Sequence, residues 1–115
     1  MAWRHGYTKN FEFVENITTA TGNTTLVAAP GAGKRLRVQS LIVCVTTTAA
    51  QAFDIEDSSG TVELFKAPTS LAVGTFPVDP GPEGHGLTAN EALVYTATAG
   101  VGLTISGWGW IQENV

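Results

Sequence analysis

Apolar and polar side chains exchange every residue along much of this chain. In Phe53-Asp54-Ile55-Glu56 the alternation is strict, giving the two-residue period of a strand with one dry face and one wet face. Comparable runs recur throughout, separated by turn residues every ten or so positions, and no segment sustains the i, i+3, i+4, i+7 stripe of an amphipathic helix. The pattern predicts strands over Phe11–Thr18, Thr25–Ala29, Arg35–Thr47, Ala52–Asp57, Thr61–Lys66, Val73–Val78, Ala92–Thr98 and Gly102–Gln112. Asp57-Ser58-Ser59-Gly60 predicts a hairpin turn closed by a positive φ at Gly60. Pro77, Pro80 and Pro82 confine Phe76–Gly86 to an edge or loop, because proline has no N–H to donate to a central ladder. The expected fold is all-β: an antiparallel two-sheet sandwich of about eight strands, jelly-roll-like, over residues 11–115, with an N-terminal arm over 1–10.

Two strands break the alternation. Extending the register of Leu36 and Val38 along β-rich Arg35–Thr47 places Ile42 and Cys44 inward, with Arg35, Arg37 and Gln39 outward. Leu41, Val43 and Val45 then face out, and a strand apolar on both faces is usually covered on both. Only a loop, a terminus or another subunit can supply that cover in a two-layer domain, so these three residues are the expected oligomer interface. In Leu103–Ile111 the alternation puts Leu103, Ile105 and Ile111 on one face and Trp108 and Trp110 on the other. Either a β-bulge near Gly107 turns both indoles into the core, or they form an external aromatic patch that joins the interface.

Composition narrows the function classes. The 115 residues suit one domain, 43% are hydrophobic, only 14% are charged, and the formal net charge is −4. Such a chain can bury enough surface to fold, and its acidic balance excludes a general nucleic-acid binder, which needs clustered Lys and Arg. Cys44 is the single cysteine, so neither an intrachain disulfide nor a thiolate zinc site can form; it is expected to be a buried small hydrophobe. The apolar run around it is far shorter than the roughly 20 residues of a membrane helix, and no secretory core follows Met1. No membrane partner is expected; the chain is expected to be soluble and made in a cytoplasm.

The search for chemistry comes back empty. Ala28-Ala29-Pro30-Gly31-Ala32-Gly33-Lys34-Arg35 has the Gly-x-Gly-Lys of a phosphate loop but lacks its first glycine and its hydroxyl, and it precedes a strand rather than a helix. His5 and His85 are the only histidines, and His85 has no neighbouring histidine with which to build a two-histidine, one-carboxylate metal site of the cupin kind; no Gly-x-Ser-x-Gly elbow presents a serine. Asp54, Glu56 and Asp57 read as a solvated acidic face rather than a glycosidase pair. No catalytic, cofactor-binding or metal residue is assigned, no cofactor is expected, and the chain is read as a non-enzyme.

Two segments carry a resemblance. Gly33-Lys34-Arg35-Leu36-Arg37-Val38-Gln39-Ser40-Leu41, leading into a long apolar strand, is one. The other is Leu87-Thr88-Ala89-Asn90-Glu91-Ala92-Leu93 with Thr98-Ala99-Gly100-Val101-Gly102-Leu103-Thr104-Ile105-Ser106-Gly107 and the aromatic strand after it. Together they resemble the small jelly-roll virion proteins of tailed bacteriophages, the capsid decoration (cement) proteins. That resemblance implies a homotrimer on the outer capsid surface, with the major capsid protein as partner, clamping neighbouring shell subunits within the virion. Relatives of this look also serve as head-fibre or tail-fibre components. The arm, with Trp3, Arg4, Tyr7 and Lys9, is expected to anchor the trimer to the capsid, because aromatics beside cations are common interface anchors; a frayed terminus is the other reading. The rival functions are a carbohydrate-binding module or fibre tip stacking a glycan on Trp108 or Trp110, and a small cupin-type enzyme.

Overall fold

A computed structural model of the chain describes residues 10–18, 22–48, 51–98 and 101–115. Among them are nine strands: β1 (Phe11–Ile17), β2 (Thr24–Val27), β3 (Lys34–Val45), β4 (Phe53–Asp57), β5 (Glu63–Ala67), β6 (Gly74–Val78), the two-residue β7 (His85–Gly86), β8 (Leu93–Thr96) and β9 (Leu103–Glu113). All eight expected strands are present, and β7 is the addition. One sheet runs β1-β9-β3-β6, with β7 also pairing β3, and the other runs β2-β8-β4-β5, with every pair antiparallel. This is the order left when a long antiparallel ribbon is wrapped into two layers, a jelly roll. Pro77 lies on β6, an edge strand, where its missing N–H breaks no ladder. Gly60 takes a φ of 76° and donates its N–H to the Asp57 carbonyl at 2.9 Å, closing the expected turn.

Between the sheets lies one hydrophobic core. Phe13, Ile17, Leu36, Val38, Leu103 and Ile105 meet Leu26, Phe53, Ile55, Leu93 and Tyr95 across it. Phe53 stacks on Phe65 at 5.8 Å, and Phe65 meets Phe76 of the opposite sheet at 6.2 Å, so an aromatic row closes one side of the sandwich. Leu64 is the extra residue opposite the Ile55/Glu56 step, and this bulge lets adjacent Leu64 and Phe65 both pack on the core.

A second bulge corrects the sequence reading of β3. Val38 pairs Gly109 and Ser40 pairs Trp108, leaving Gln39 as an inserted residue. The insertion reverses the faces beyond it. Leu41, Val43 and Val45, expected outside as an oligomer interface, are 0%, 0% and 1% exposed and belong to the core of a single chain. Ile42 and Cys44, expected inside, face outward: Ile42 is 39% exposed, and Cys44 is half-buried rather than buried. Gln39 itself donates from Nε2 to the Gly81 and Pro82 carbonyls at 3.0 and 3.3 Å, holding the 79–84 loop against β3.

β9 carries no bulge toward β1, so its alternation survives intact. The glycines there serve a different purpose from the one expected. A Cβ at Gly107 would lie 2.2 Å from the Ser40 carbonyl oxygen, and one at Gly109 would lie 2.1 Å from that of Arg37. The bulged backbone of β3 takes the space, and the rings of Phe13 and Phe11 cover the two bare positions from β1.

Candidate functional site

The two outer faces of the sandwich differ in chemistry. On the second sheet, Asp54, Glu56, Glu63, Lys66 and Thr96 line the solvent side; Asp54, Lys66 and Thr96, with Asn23, Pro68 and Thr98, border an open concavity of about 660 Å³. Carboxylate oxygens of Asp54, Glu56 and Glu63 lie within 4.8 Å of one another, a donor set that could hold a cation. Lys66 supplies a cation already, with Nζ 3.4 Å from Asp54 and 3.7 Å from Glu63; its hydrogen bond to Asp54, with both carboxylates nearby, raises its pKa above the ordinary lysine value. Glu56 accepts from Thr96 Oγ1 at 2.9 Å. Among the described residues, no aromatic side chain lines this concavity.

Asp57 departs from the expected solvated face. It has no exposed surface, and its carboxylate accepts from Ser59 N–H, Ser59 Oγ and Thr61 N–H through one oxygen and from Thr88 N–H through the other, at 2.7–3.2 Å. Burial opposes its ionisation, but the hydrogen bonds of Thr88, Ser59 and Thr61 outweigh burial and hold the carboxyl well below the usual range. This aspartate ties the β4–β5 turn to the segment before β8, a structural task that explains why a charge sits in the register of Phe53 and Ile55.

The outer face of the first sheet is of another kind. The cross-strand registers align Val14, Ser106, Ile42 and Pro77 in a row spanning four strands. Val14 is 69% exposed, so this row offers apolar surface to solvent at its centre and edge. On one side of it, Asn16, Thr104, Cys44 and Thr75 form a neutral polar row, with Thr104 Oγ1 donating to Asn16 Oδ1 at 2.8 Å. On the other side come Glu12, Trp108 and Ser40, and then Trp110 beside Arg37 and Gln112 beside Arg35. Both indoles are half-buried on this outer face, as strict alternation in β9 expects of an external patch. Arg37 sits 5.6 Å from the Trp110 ring centroid.

Arg37 is fixed by neutral acceptors. Its Nε donates to the Glu83 carbonyl, one terminal nitrogen to Gln112 Oε1 and the other to the Gly84 carbonyl, each at 3.1 Å. These bonds explain the tight backbone of the loop: Gly84 and Gly86 leave room for β3 and for the two arginine side chains. Sequence reasoning put both arginines outward but gave them no role, and it placed Ile42 inside because the Gln39 bulge has no signature of its own in the chain.

Other expected residues are dispersed or undescribed. His85 is exposed on β7 and is the single histidine among the described residues. Gly31 and Gly33 take φ values of 114° and 78° in the turn that precedes β3, so that loop is shaped by turn geometry, with Gly31 N–H donating to Asn90 Oδ1. Trp3, Arg4, Tyr7 and Lys9 of the arm, and His5, lie outside the described residues. Compared with known protein families, curated proteins and solved structures, the chain matches none.

Proposed function

We propose that this chain is a non-enzymatic structural protein of a tailed-phage virion, binding the outer capsid surface as a homotrimer and bridging neighbouring shell subunits. The observation that carries the reading is the outer face of the β1-β9-β3-β6 sheet, where a molecule with a filled core still offers Val14, Ile42 and Trp108 to its surroundings. The acidic face opposite, with Asp54, Glu56 and Glu63, is the one suited to solvent. Jelly rolls are frequent in viral shells and lectins, a fold-level analogy that adds modest weight.

Size supports a clamp rather than a tight pairwise partner. At a 3.3 Å rise and 4.8 Å strand spacing, the four strands present roughly 550 Å² of projected face. A stable interface takes about 800 Å² from each partner. One such face alone makes a modest contact between copies, and avidity enters at the shell, where the three arms of a trimer bind together. The apolar row Val14–Ile42–Pro77 is the contact between copies, and the arm residues Trp3, Arg4, Tyr7 and Lys9 complete the anchoring to the shell.

Sedimentation of the full chain at micromolar concentration tests the first step. The expected result is a trimer for the natural sequence and a folded monomer for the double variant Val14→Asp/Ile42→Asp. Both positions are exposed, so the variant keeps its fold. A monomeric natural chain would sink the trimer, and failure to cosediment with purified phage heads would sink the shell assignment. The half-buried indoles also favour a second reading, a glycan-binding fibre component; quenching of indole fluorescence by oligosaccharide would select it.

A further inference from the structure

In a chain of net charge −4, Arg35 and Arg37 lie two residues apart on β3, and among the described residues no carboxylate forms an ion pair with either. The ion pairs among the described residues are those of Lys66. Arg37 spends three of its five N–H groups on neutral oxygens, which fix the guanidinium plane without compensating its charge. Arg35 has a buried Nε with no hydrogen-bond partner. The two arginines share one face of β3, two residues apart; on β9 Trp110 lies beside Arg37 and Gln112 beside Arg35, with Trp108 further along beside Ser40.

We infer that this corner of the outer face is a recognition site for an acidic segment of a partner protein, an extended stretch with carboxylates at alternate residues. The spacing carries the argument. Side chains two apart on a strand repeat at about 7 Å, and an extended peptide laid along β3 presents its i and i+2 carboxylates at the same repeat. Guanidinium groups take carboxylates through paired N–H donors, and indoles beside them cover the apolar parts of the segment. A nucleic acid fits less well. It needs many phosphate contacts for affinity, while this patch has two arginines on a net acidic molecule whose other outer face is lined with carboxylates.

The inference rests on the proposed adhesive role only for naming the shell as the source of the segment; the site itself is tested without any shell. The probe is the capped peptide Gly-Glu-Thr-Glu-Gly, titrated into the full chain while the arginine Nε–H and indole N–H resonances are followed by NMR. The glutamine version of the peptide and inorganic tripolyphosphate serve as controls. The expected result is a saturable shift of the Arg35, Arg37, Trp108 and Trp110 signals by the glutamate peptide. Arg35→Gln should weaken binding about tenfold, the effect of losing one charge-assisted pair. Arg35→Lys, which keeps the charge and loses the fork, should fall between, and Lys66→Gln should leave binding unchanged. No saturable shift, equal weakening by Lys66→Gln, or binding of tripolyphosphate but not of the peptide would each overturn the assignment. None of these outcomes depends on trimer formation, so the oligomer measurement stands or falls separately.

Discussion

Asp57 offers the most stringent test of how this sandwich is held together. Replacing it with Asn keeps the volume but removes the charge, and the amide must turn either its NH₂ toward Thr88 N–H or the same group toward the donors of Ser59 and Thr61. A hydrogen bond to a charged group contributes about 1.5–3 kcal/mol, and these are not additive. Ser59 and Thr61 are exposed and can turn to water, so the loss concentrates on Thr88 and on the charge. We expect Asp57→Asn to cost about 2 kcal/mol and Asp57→Ala about 3 kcal/mol, read as a shift in the urea midpoint followed by indole fluorescence. The pH dependence has a definite sign. The folded carboxyl titrates below the unfolded one, which takes up its proton near pH 3.9, so the contribution is whole above about pH 4 and fades as pH falls toward the folded value. The gap between natural chain and Asp57→Asn should therefore be widest at neutral pH and close in acid. Equal midpoints at neutral pH, or a gap that persists unchanged in acid, would refute the account.

Substitutions at two further positions test the register of the first sheet. Val43→Glu, at a position with no exposure, should prevent folding, and Val43→Ala should cost about 2–3 kcal/mol from the cavity it leaves; a soluble, folded Val43→Glu monomer would restore the outward reading of β3. Gly109→Ala should destabilise by about 2–3 kcal/mol, because its methyl would lie 2.1 Å from the Arg37 carbonyl and 2.5 Å from the Phe11 ring; thermal melting unchanged within error would mean that β3 is not bulged there.

Strand positions were legible because short-range physics determines them. Alternation in Phe53–Glu56, the Gly60 turn and the prolines near β6 each report a local constraint, and local constraints survive folding. Faces are less local. Leu36 and Val38 were assigned to the correct side, and one inserted residue, Gln39, then inverted Leu41 through Val45. A bulge is a relation between strands: it requires two glycines on β9, some seventy residues on, whose missing side chains admit the displaced carbonyls of Arg37 and Ser40. Asp57 was illegible for a similar reason, since its partner Thr88 lies thirty-one positions away and nothing in the β4 sequence names it. For the indoles the sequence left two placements open, inward through a bulge near Gly107 or outward by alternation; no bulge interrupts β9 toward β1, and Trp108 and Trp110 lie on the outer face.

The Gln39 bulge also decides what the outer face can do. Had the register of Leu36 and Val38 continued unbroken, Leu41, Val43 and Val45 would have lain outside, a purely aliphatic surface suited to a permanent interface and poorly soluble without one. The inserted residue sends those three into the core and leaves Ile42 and Cys44 outside among Ser106, Thr104 and Thr75. The same insertion leaves Arg35 and Arg37, which precede it, on the outer side, so the cationic corner and the aliphatic row come to share one surface although they lie in opposite registers of a single strand. A face of that mixed kind exposes less aliphatic surface than the unbroken register would, which fits the docking role proposed above. Removing Gln39 should therefore abolish folding rather than merely weaken binding, because it would set the arginine register and the aliphatic register against each other across β3.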